Sequence, residues 1–249
     1  MGKDRTNREK EWHNAYFKSD VRVKTRKFYS ISGPMRKKWN ERIVNGLQRE
    51  QTVFLDYGCG SGYSLISISN NINRGVGIDI SEVCIKWAKQ TVEEKKIRNL
   101  DFFVMDAMNT VFKNEEFDVI RGIAILHHLD LKKSLEEVKR ILKPGGKAFF
   151  FEPLDTNLII KMYRKMTPEA RTVDEQPLRK KDIKLIKSLF PKTEIRYYFF
   201  LSLLAVPFRN HKVFPRILQI LFFMDRILLS KNSPVKWLGW CCTIEMMKG

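Results

Sequence analysis

The stretch VFLDYGCGSG, Val53 to Gly62, decides how the chain folds. An apolar run ends in an acid, Asp56, turns through three glycines and enters a helix-like segment, Tyr63 to Ile68. Glycines in such a turn adopt positive φ and clear the space where backbone must approach a ligand closely. A strand, loop and helix of this kind open a doubly wound α/β sheet, whose ligands lie at the carboxyl ends of the strands. A dinucleotide fingerprint needs glycines at its first, third and sixth positions. Here Gly58, Gly60 and Gly62 give G-x-G-x-G, and Tyr63 holds the sixth place. Asp56 puts a carboxylate where a pyrophosphate would be repelled and a cationic group would be held. The plain alternative is an ordinary glycine turn in an α/β domain.

A chain of 249 residues can bury one full core with decorations. Its net charge of +18 is uneven: residues 1–50 carry +8, residues 51–153 carry none and residues 154–249 carry +10. Basic flanks around a neutral centre suit nucleic acid, an anionic membrane surface or a phosphorylated substrate, or are simply solvated lysine-rich faces. Cys59, Cys84, Cys241 and Cys242 show neither zinc-ligand nor disulfide-scaffold spacing, which fits a reduced, cytoplasmic setting. The start, MGKDRTNREKEWHN, lacks the apolar core of a secretory signal, and no uninterrupted apolar run reaches the ~18 residues of a membrane span.

Downstream of the glycine loop, Arg74 to Asp79 reads as a second strand ending in an acid, at the place that grips ribose hydroxyls in nucleotide-binding units. Ser81 then caps a helix, Glu82 to Lys96. Leu100 to Met105 is a third strand, followed by Asp106. Phe117 to Ile120 is a fourth, running into RGIAILHHL, Arg121 to Leu129. A helix from Leu131 to Leu142 ends at the turn KPGG, which feeds a fifth strand, Lys147 to Phe151, with Glu152 at its end.

The motif D-x-G-C-G-x-G, then FDVI, LHHL and KRILKPGG in order, resembles the class I S-adenosylmethionine-dependent methyltransferases of small-molecule type, over Thr52 to Pro153. The resemblance implies a Rossmann-like, mostly parallel seven-stranded α/β sheet of order 3-2-1-4-5-7-6 with its last strand antiparallel. It implies S-adenosylmethionine as cofactor, contacted at Asp56, Gly58, Cys59, Gly60, Gly62, Asp79, Ile80, Asp106, Ala107 and Arg121, with Asp106 receiving the adenine amino group. It also implies one domain in three stretches: a helical cover over 1–50, a cofactor core over 51–153, and lid segments with the last strands over 154–249.

Outside that core the chain is more individual. EWHNAYF and PMRKKWNERIVNGL read as helices before the first strand. Tyr16, Phe17, Phe28 and Tyr29 either face the ligand or form the apolar stripe that packs this segment. Thr156 to Met166 and Lys180 to Phe190 read as helices, Thr193 to Val206 as strand six and Trp237 to Met247 as strand seven. Between those strands, Val213 to Leu229 is apolar over most of a helical circumference. That stretch packs as an inserted helix, meets a partner subunit, lines a greasy pocket or rests on a membrane.

Methyl transfer from a sulfonium is a direct displacement that needs alignment and, where the acceptor carries a proton, a base. His127 and His128 after strand four, and Glu152 at the end of strand five, are the catalytic candidates. Strand four ends in RGIA, not in the N/D-P-P-Y/F of many enzymes that methylate exocyclic amines of bases. No S/T-C or P-C motif of a cysteine nucleophile stands in the later core, and no cluster of acids for a metal follows strands four and five, so no metal is expected. The sequence therefore reads as a methyltransferase for a small, hydrophobic or lipid-like acceptor. An RNA methyltransferase and a non-catalytic interaction module are the alternatives.

Overall fold

The computed structural model describes residues 2–16, 28–168 and 171–249. Phe17 and the Tyr16 side chain, two of the expected ligand-facing aromatics, lie outside the described residues. The elements run α1 (Gly2–Tyr16), α2 (Gly33–Val44), β1 (Val53–Tyr57), α3 (Tyr63–Ile66), β2 (Arg74–Asp79), α4 (Glu82–Glu94), β3 (Leu100–Val104), β4 (Phe117–Ile123), α5 (Leu131–Ile141) and β5 (Leu142–Pro153). They continue through α6 (Leu158–Met166), α7 (Lys180–Leu189), β6 (Lys192–Tyr198), α8 (Phe214–Leu228) and β7 (Cys241–Met247).

The seven strands form one sheet of order β3-β2-β1-β4-β5-β7-β6, as expected. β7 runs antiparallel to both its neighbours and the other pairings are parallel. Strands alternate their side chains between two buried clusters. Leu55, Tyr57, Ile120 and Phe150 belong to the cluster that also holds Leu135, Val138 and Ile141 of α5 and Ile183 and Ile186 of α7. Phe54, Val119, Phe149 and Phe151 belong to the opposite one, with Trp39 of α2 and Ile85, Ala88 and Val92 of α4. The period of two thus gives both faces of the sheet a helical layer. The order reverses direction between β1 and β4, which places a ligand crevice at the carboxyl ends of these two strands.

Local chemistry fixes the helix starts. Ser81 accepts from Cys84 N at 3.3 Å, Asp130 from Lys133 N at 3.2 Å and Asn157 from Ile160 N at 3.0 Å, each satisfying a first-turn amide. β5 starts earlier than expected, because Leu142 already pairs with Phe117 before the KPGG turn, and the register then shifts so that Val119 meets Lys147.

β6 is shorter than expected. Phe199 takes φ 67°, a left-handed conformation that ends the strand, and a tight helical turn covers Leu201–Phe208. Asp225 of α8 caps that turn: its carboxylate accepts from Phe200 N at 3.1 Å, Leu201 N at 2.7 Å and Ser202 N at 3.1 Å. The charge that interrupts the apolar helix in the sequence is thus buried and satisfied. Strand seven also loses its expected beginning, since Pro234–Leu238 forms another short helical turn. Among the described residues no helix is long and apolar enough to cross a membrane.

Candidate active site

The glycine loop leaves β1 through three left-handed residues, Gly58 (φ 75°), Gly60 (φ 52°) and Gly62 (φ 73°). A Cβ on Gly58 would come within 2.8 Å of the Ile125 side chain, so only glycine closes this turn against the segment after β4. Gly60 N donates to Asp79 Oδ2 at 2.8 Å and Ser81 N to Asp79 Oδ1 at 2.9 Å. The end of β2 is thereby tied to the loop. Asp106 Oδ1 accepts from Met108 N at 2.8 Å, and the Tyr57 hydroxyl donates to Ala107 O, which fixes the end of β3.

A cavity of about 1180 Å³ runs along these strand ends. Of the expected cofactor residues, Asp56, Gly58, Cys59, Gly60, Asp79, Ile80, Asp106 and Ala107 line it. Two do not. Gly62 sits behind the wall as the left-handed start of α3, where a Cβ would strike the Phe102 ring at 2.7 Å. Arg121 is fully buried and bidentate on Asp56, with Nη2 to Oδ2 at 2.9 Å and Nε to Oδ1 at 3.3 Å, its guanidinium over the Phe54 ring. The two face each other because Asp56 and Arg121 are register partners across β1 and β4. Asp56 therefore brings no uncompensated charge to the cavity, contrary to the reading of the motif alone.

The other half of the cavity is built around the residues that follow β4. His127 Nδ1 lies 2.6 Å from Glu152 Oε2, and Glu152 Oε1 accepts from Ile125 N and Leu126 N, each at 2.9 Å. Glu152 is wholly buried and is not among the residues that line the cavity, so its carboxylate faces His127 and the turn after β4. Its expected place at the acceptor is corrected by this geometry: the strand end points into the turn, not into the crevice.

The two histidines are pushed apart in acidity. Burial lowers the pKa of His127, but the charge and hydrogen bond of Glu152, with Glu175 at 3.7 Å from Nε2, carry it above the ordinary histidine value. For His128, burial and the adjacent His127 lower it. The rings lie 4.2 Å apart between centroids.

Sequence reasoning missed the partners of this pair. Glu9 and His13, four residues apart on one face of α1, reach it: Glu9 Oε2 is 3.1 Å from His128 Nδ1 and 3.6 Å from His13 Nε2. Glu9 Oε1 accepts from Thr172 Oγ1 at 2.6 Å. Burial raises the pKa of Glu9, but the contacts with His128 and His13 hold it well below the usual carboxylate range. Glu175 accepts from Arg164 Nη1 at 2.6 Å. The i, i+4 pairing of an acid and a histidine ahead of the first strand was the available signal.

Aromatic rings complete the wall. Phe28 lies 4.5 Å from Tyr163, and Tyr29 lies 5.1 Å from Trp240, between centroids. All four line the cavity, as do Arg36 and Asn40 of α2. Burial, first of all, lowers the pKa of Arg36, and Asn40 Oδ1 is buried without a hydrogen-bond partner.

Comparison with known proteins follows the same outline. Residues 55–150 match a family described as a methyltransferase domain. The demethylmenaquinone methyltransferase of Staphylococcus carnosus is 30% identical over 127 residues, covering 49% of this chain and 52% of its own. The tRNA (carboxymethyluridine(34)-5-O)-methyltransferase of Arabidopsis thaliana is 35% identical over 121 residues, covering 44% of this chain and 27% of its own. The chain spans about half the length of the demethylmenaquinone methyltransferases that it matches in staphylococci. In three dimensions it is similar to geranyl diphosphate C-methyltransferase of Streptomyces coelicolor A3(2), in complex with Mg2+, geranyl diphosphate and S-adenosyl-L-homocysteine. The TM-score is 0.61 at 13% identity, over 86% of this chain and 79% of that one.

Proposed function

We propose that this chain, a member of the class I S-adenosylmethionine-dependent methyltransferases, binds S-adenosylmethionine along its glycine loop and methylates an ionisable group on a small acceptor with an apolar body. The observation that carries this reading is the one cavity shared by the glycine loop, Asp79, the two histidines and four aromatic rings. Its volume exceeds the usual few hundred cubic ångströms of a single-ligand pocket, which leaves room for donor and acceptor together.

The residues present fit the donor. Gly58 and Gly60 put bare backbone on the cavity wall at the end of β1, and Asp79 lines the cavity at the end of β2, where it would take the ribose hydroxyls. Asp106 and Ala107 would receive the adenine. Because Asp56 is neutralised by Arg121, the amino-acid end needs other partners. Arg36, which pairs with no acid among the described residues, would hold its carboxylate, and the orphaned Asn40 Oδ1 its ammonium. When bound, this donor supplies a methyl group on a sulfonium, open to displacement by an acceptor lone pair.

Everything else falls to the chain. His128, kept neutral by burial and by its neighbour, takes the acceptor proton, with Glu9 behind it to stabilise the charge that develops. His127, fixed by Glu152 and with its pKa raised by that carboxylate, holds the acceptor's polar group. Phe28, Tyr29, Tyr163 and Trp240 exclude water and embed the apolar body, so that the segments carrying them before β1 and after β5 serve as cover and lid. No metal is needed for these steps, and the reduced cysteines suit a cytoplasmic setting.

The test is direct. Purified protein is titrated with S-adenosylhomocysteine by calorimetry, then incubated with methyl-labelled donor and a panel of phenols, quinols and amines. Micromolar binding and label in a small molecule support the reading. No binding sinks it, and label found only in added tRNA would favour the nucleic-acid alternative suggested by the basic flanks.

A further inference from the structure

Helix α8 carries its apolar stripe on the outside. Ile220, Phe223, Met224 and Ile227 fall at i, i+3, i+4 and i+7, the spacing of one helical face, yet Ile220, Phe223 and Ile227 are each 61% exposed. Toward the protein the helix turns Leu218 and the capping Asp225, with Phe214, Ile217, Leu221 and Phe222 packed against the core beside them. Leu204, Phe208 and Val213, on the turn before it, extend the exposed apolar surface. One apolar face seats the helix on the core, and this second one is left facing water, which is unfavourable without a partner.

The rim of this face is cationic throughout. Arg209, Lys212, Arg216, Arg226 and Lys231 are exposed, and none pairs with an acid among the described residues. From residue 201 to residue 244 the sequence holds a single acid, Asp225, and that one is buried. A second copy of the chain would bring this uncompensated charge against itself. An anionic lipid surface complements both parts, the apolar stripe entering the acyl boundary and the cations meeting phosphate headgroups. We propose that α8 is an interfacial helix which docks the protein on an anionic membrane.

The docking face connects to the cavity through aromatic contacts. Phe222 of α8 lies 6.4 Å from Phe199, and Phe199 lies 6.0 Å from Trp240, which lines the cavity. Docking stands independently of methyl transfer. Only its use, admitting an apolar acceptor from the bilayer, rests on that reading.

Co-sedimentation of the full chain with vesicles of phosphatidylcholine, with and without about 30% phosphatidylglycerol, tests the surface. Binding to the anionic vesicles and little to the neutral ones is expected. Phe223→Ser with Ile227→Ser should abolish it, and Arg216→Gln or Arg226→Gln should each weaken partitioning roughly fivefold. All these side chains are exposed, so unchanged melting temperature and unchanged S-adenosylhomocysteine affinity are expected in the same samples, which separates loss of docking from loss of the donor site. The proposal is overturned if the wild-type chain stays in the supernatant with anionic vesicles. It is equally overturned if the serine variants bind as well as wild type, which marks a general polyanion surface, or if they only dissociate a dimer found without lipid.

Discussion

Glu152 Oε2 stands 2.6 Å from His127 Nδ1 while the other oxygen of the same carboxylate accepts the amides of Ile125 and Leu126. One buried acid at the end of β5 thus fixes both a histidine ring and the turn that carries it. The charge of Glu152 is also what lifts the His127 pKa against the effect of burial.

Glu152→Gln keeps the shape and removes the charge. Turnover should fall on the order of 10²-fold, while affinity for S-adenosylhomocysteine stays within about twofold, since the residue touches neither ligand. A second readout follows from linkage. His127 has a folded pKa above its unfolded value, so its stabilising contribution is complete below about pH 6.5 and is lost as pH rises through the folded pKa. Urea unfolding across that window should show this decline in the wild-type chain and a flatter profile in the variant. Unchanged turnover together with an unchanged profile would remove the positioning role.

The Asp56 and Arg121 pair makes a prediction about stability. Arg121→Met leaves a buried carboxylate without its cation, which costs about 3–5 kcal/mol, whereas the double change with Asp56→Asn should cost clearly less than the two single changes added. Denaturation midpoints at constant slope report the difference. Simple additivity would mean that the two groups are not coupled.

His128 is the proposed base, and it must be neutral to accept a proton. Burial and His127 lower its pKa, against Glu9 from α1 and Glu175 from the segment before α7, so kcat/KM should be flat through neutral pH and decline only below about pH 6.5. His128→Ala should lower kcat on the order of 10² to 10⁴-fold and remove that acid limb. A wild-type limb centred above neutrality would contradict the assignment.

The order of the strands was legible because each carried its own mark. An acid stands at or next to the last residue of β1 and of β2, one follows β3, and KPGG marks the bend in β5 just after α5. The site was legible where one strand end makes it, as at Gly58, Gly60 and Asp79. It was misread where a side chain could turn either way at the strand end: Arg121 and Glu152 look like crevice residues in the sequence, and only pairing across β1 and β4, or the amides of the following turn, sends them inward. Glu9, His13, Arg36 and Asn40 were missed because helices ahead of β1 carry no motif, and their function depends on where the cover lies. The sequence makes strand six too long because β-forming residues continue past Tyr198, while Asp225, distant in sequence, captures the amides of Phe200, Leu201 and Ser202.

Asp79 is the proposed partner of the nucleoside end of the donor. Asp79→Ala should weaken S-adenosylhomocysteine and 5′-methylthioadenosine alike, by about 10 to 100-fold, because both carry the ribose whose hydroxyls this carboxylate would accept. The change also frees Gly60 N and Ser81 N, so a melting curve must accompany the calorimetry. Equal affinity in the variant would show that Asp79 serves only the loop.

Arg36 and Asn40 supply the complementary case. Both are on the cavity wall, one a half-buried cation and the other an amide oxygen without a partner, and together they match a carboxylate and an ammonium. Arg36→Ala should weaken S-adenosylhomocysteine by about 10-fold or more, and Asn40→Ala by a smaller factor, because Arg36 would pair two full charges while the Asn40 amide offers only a dipole to the ammonium. Neither change should affect 5′-methylthioadenosine, which has the nucleoside but lacks the amino-acid end. Loss of both ligands in the same proportion would point to a damaged cover, and loss of neither would leave the zwitterionic end without its holder in α2. Only selective loss fits a clamp that exists because Arg121 has already taken the charge of Asp56.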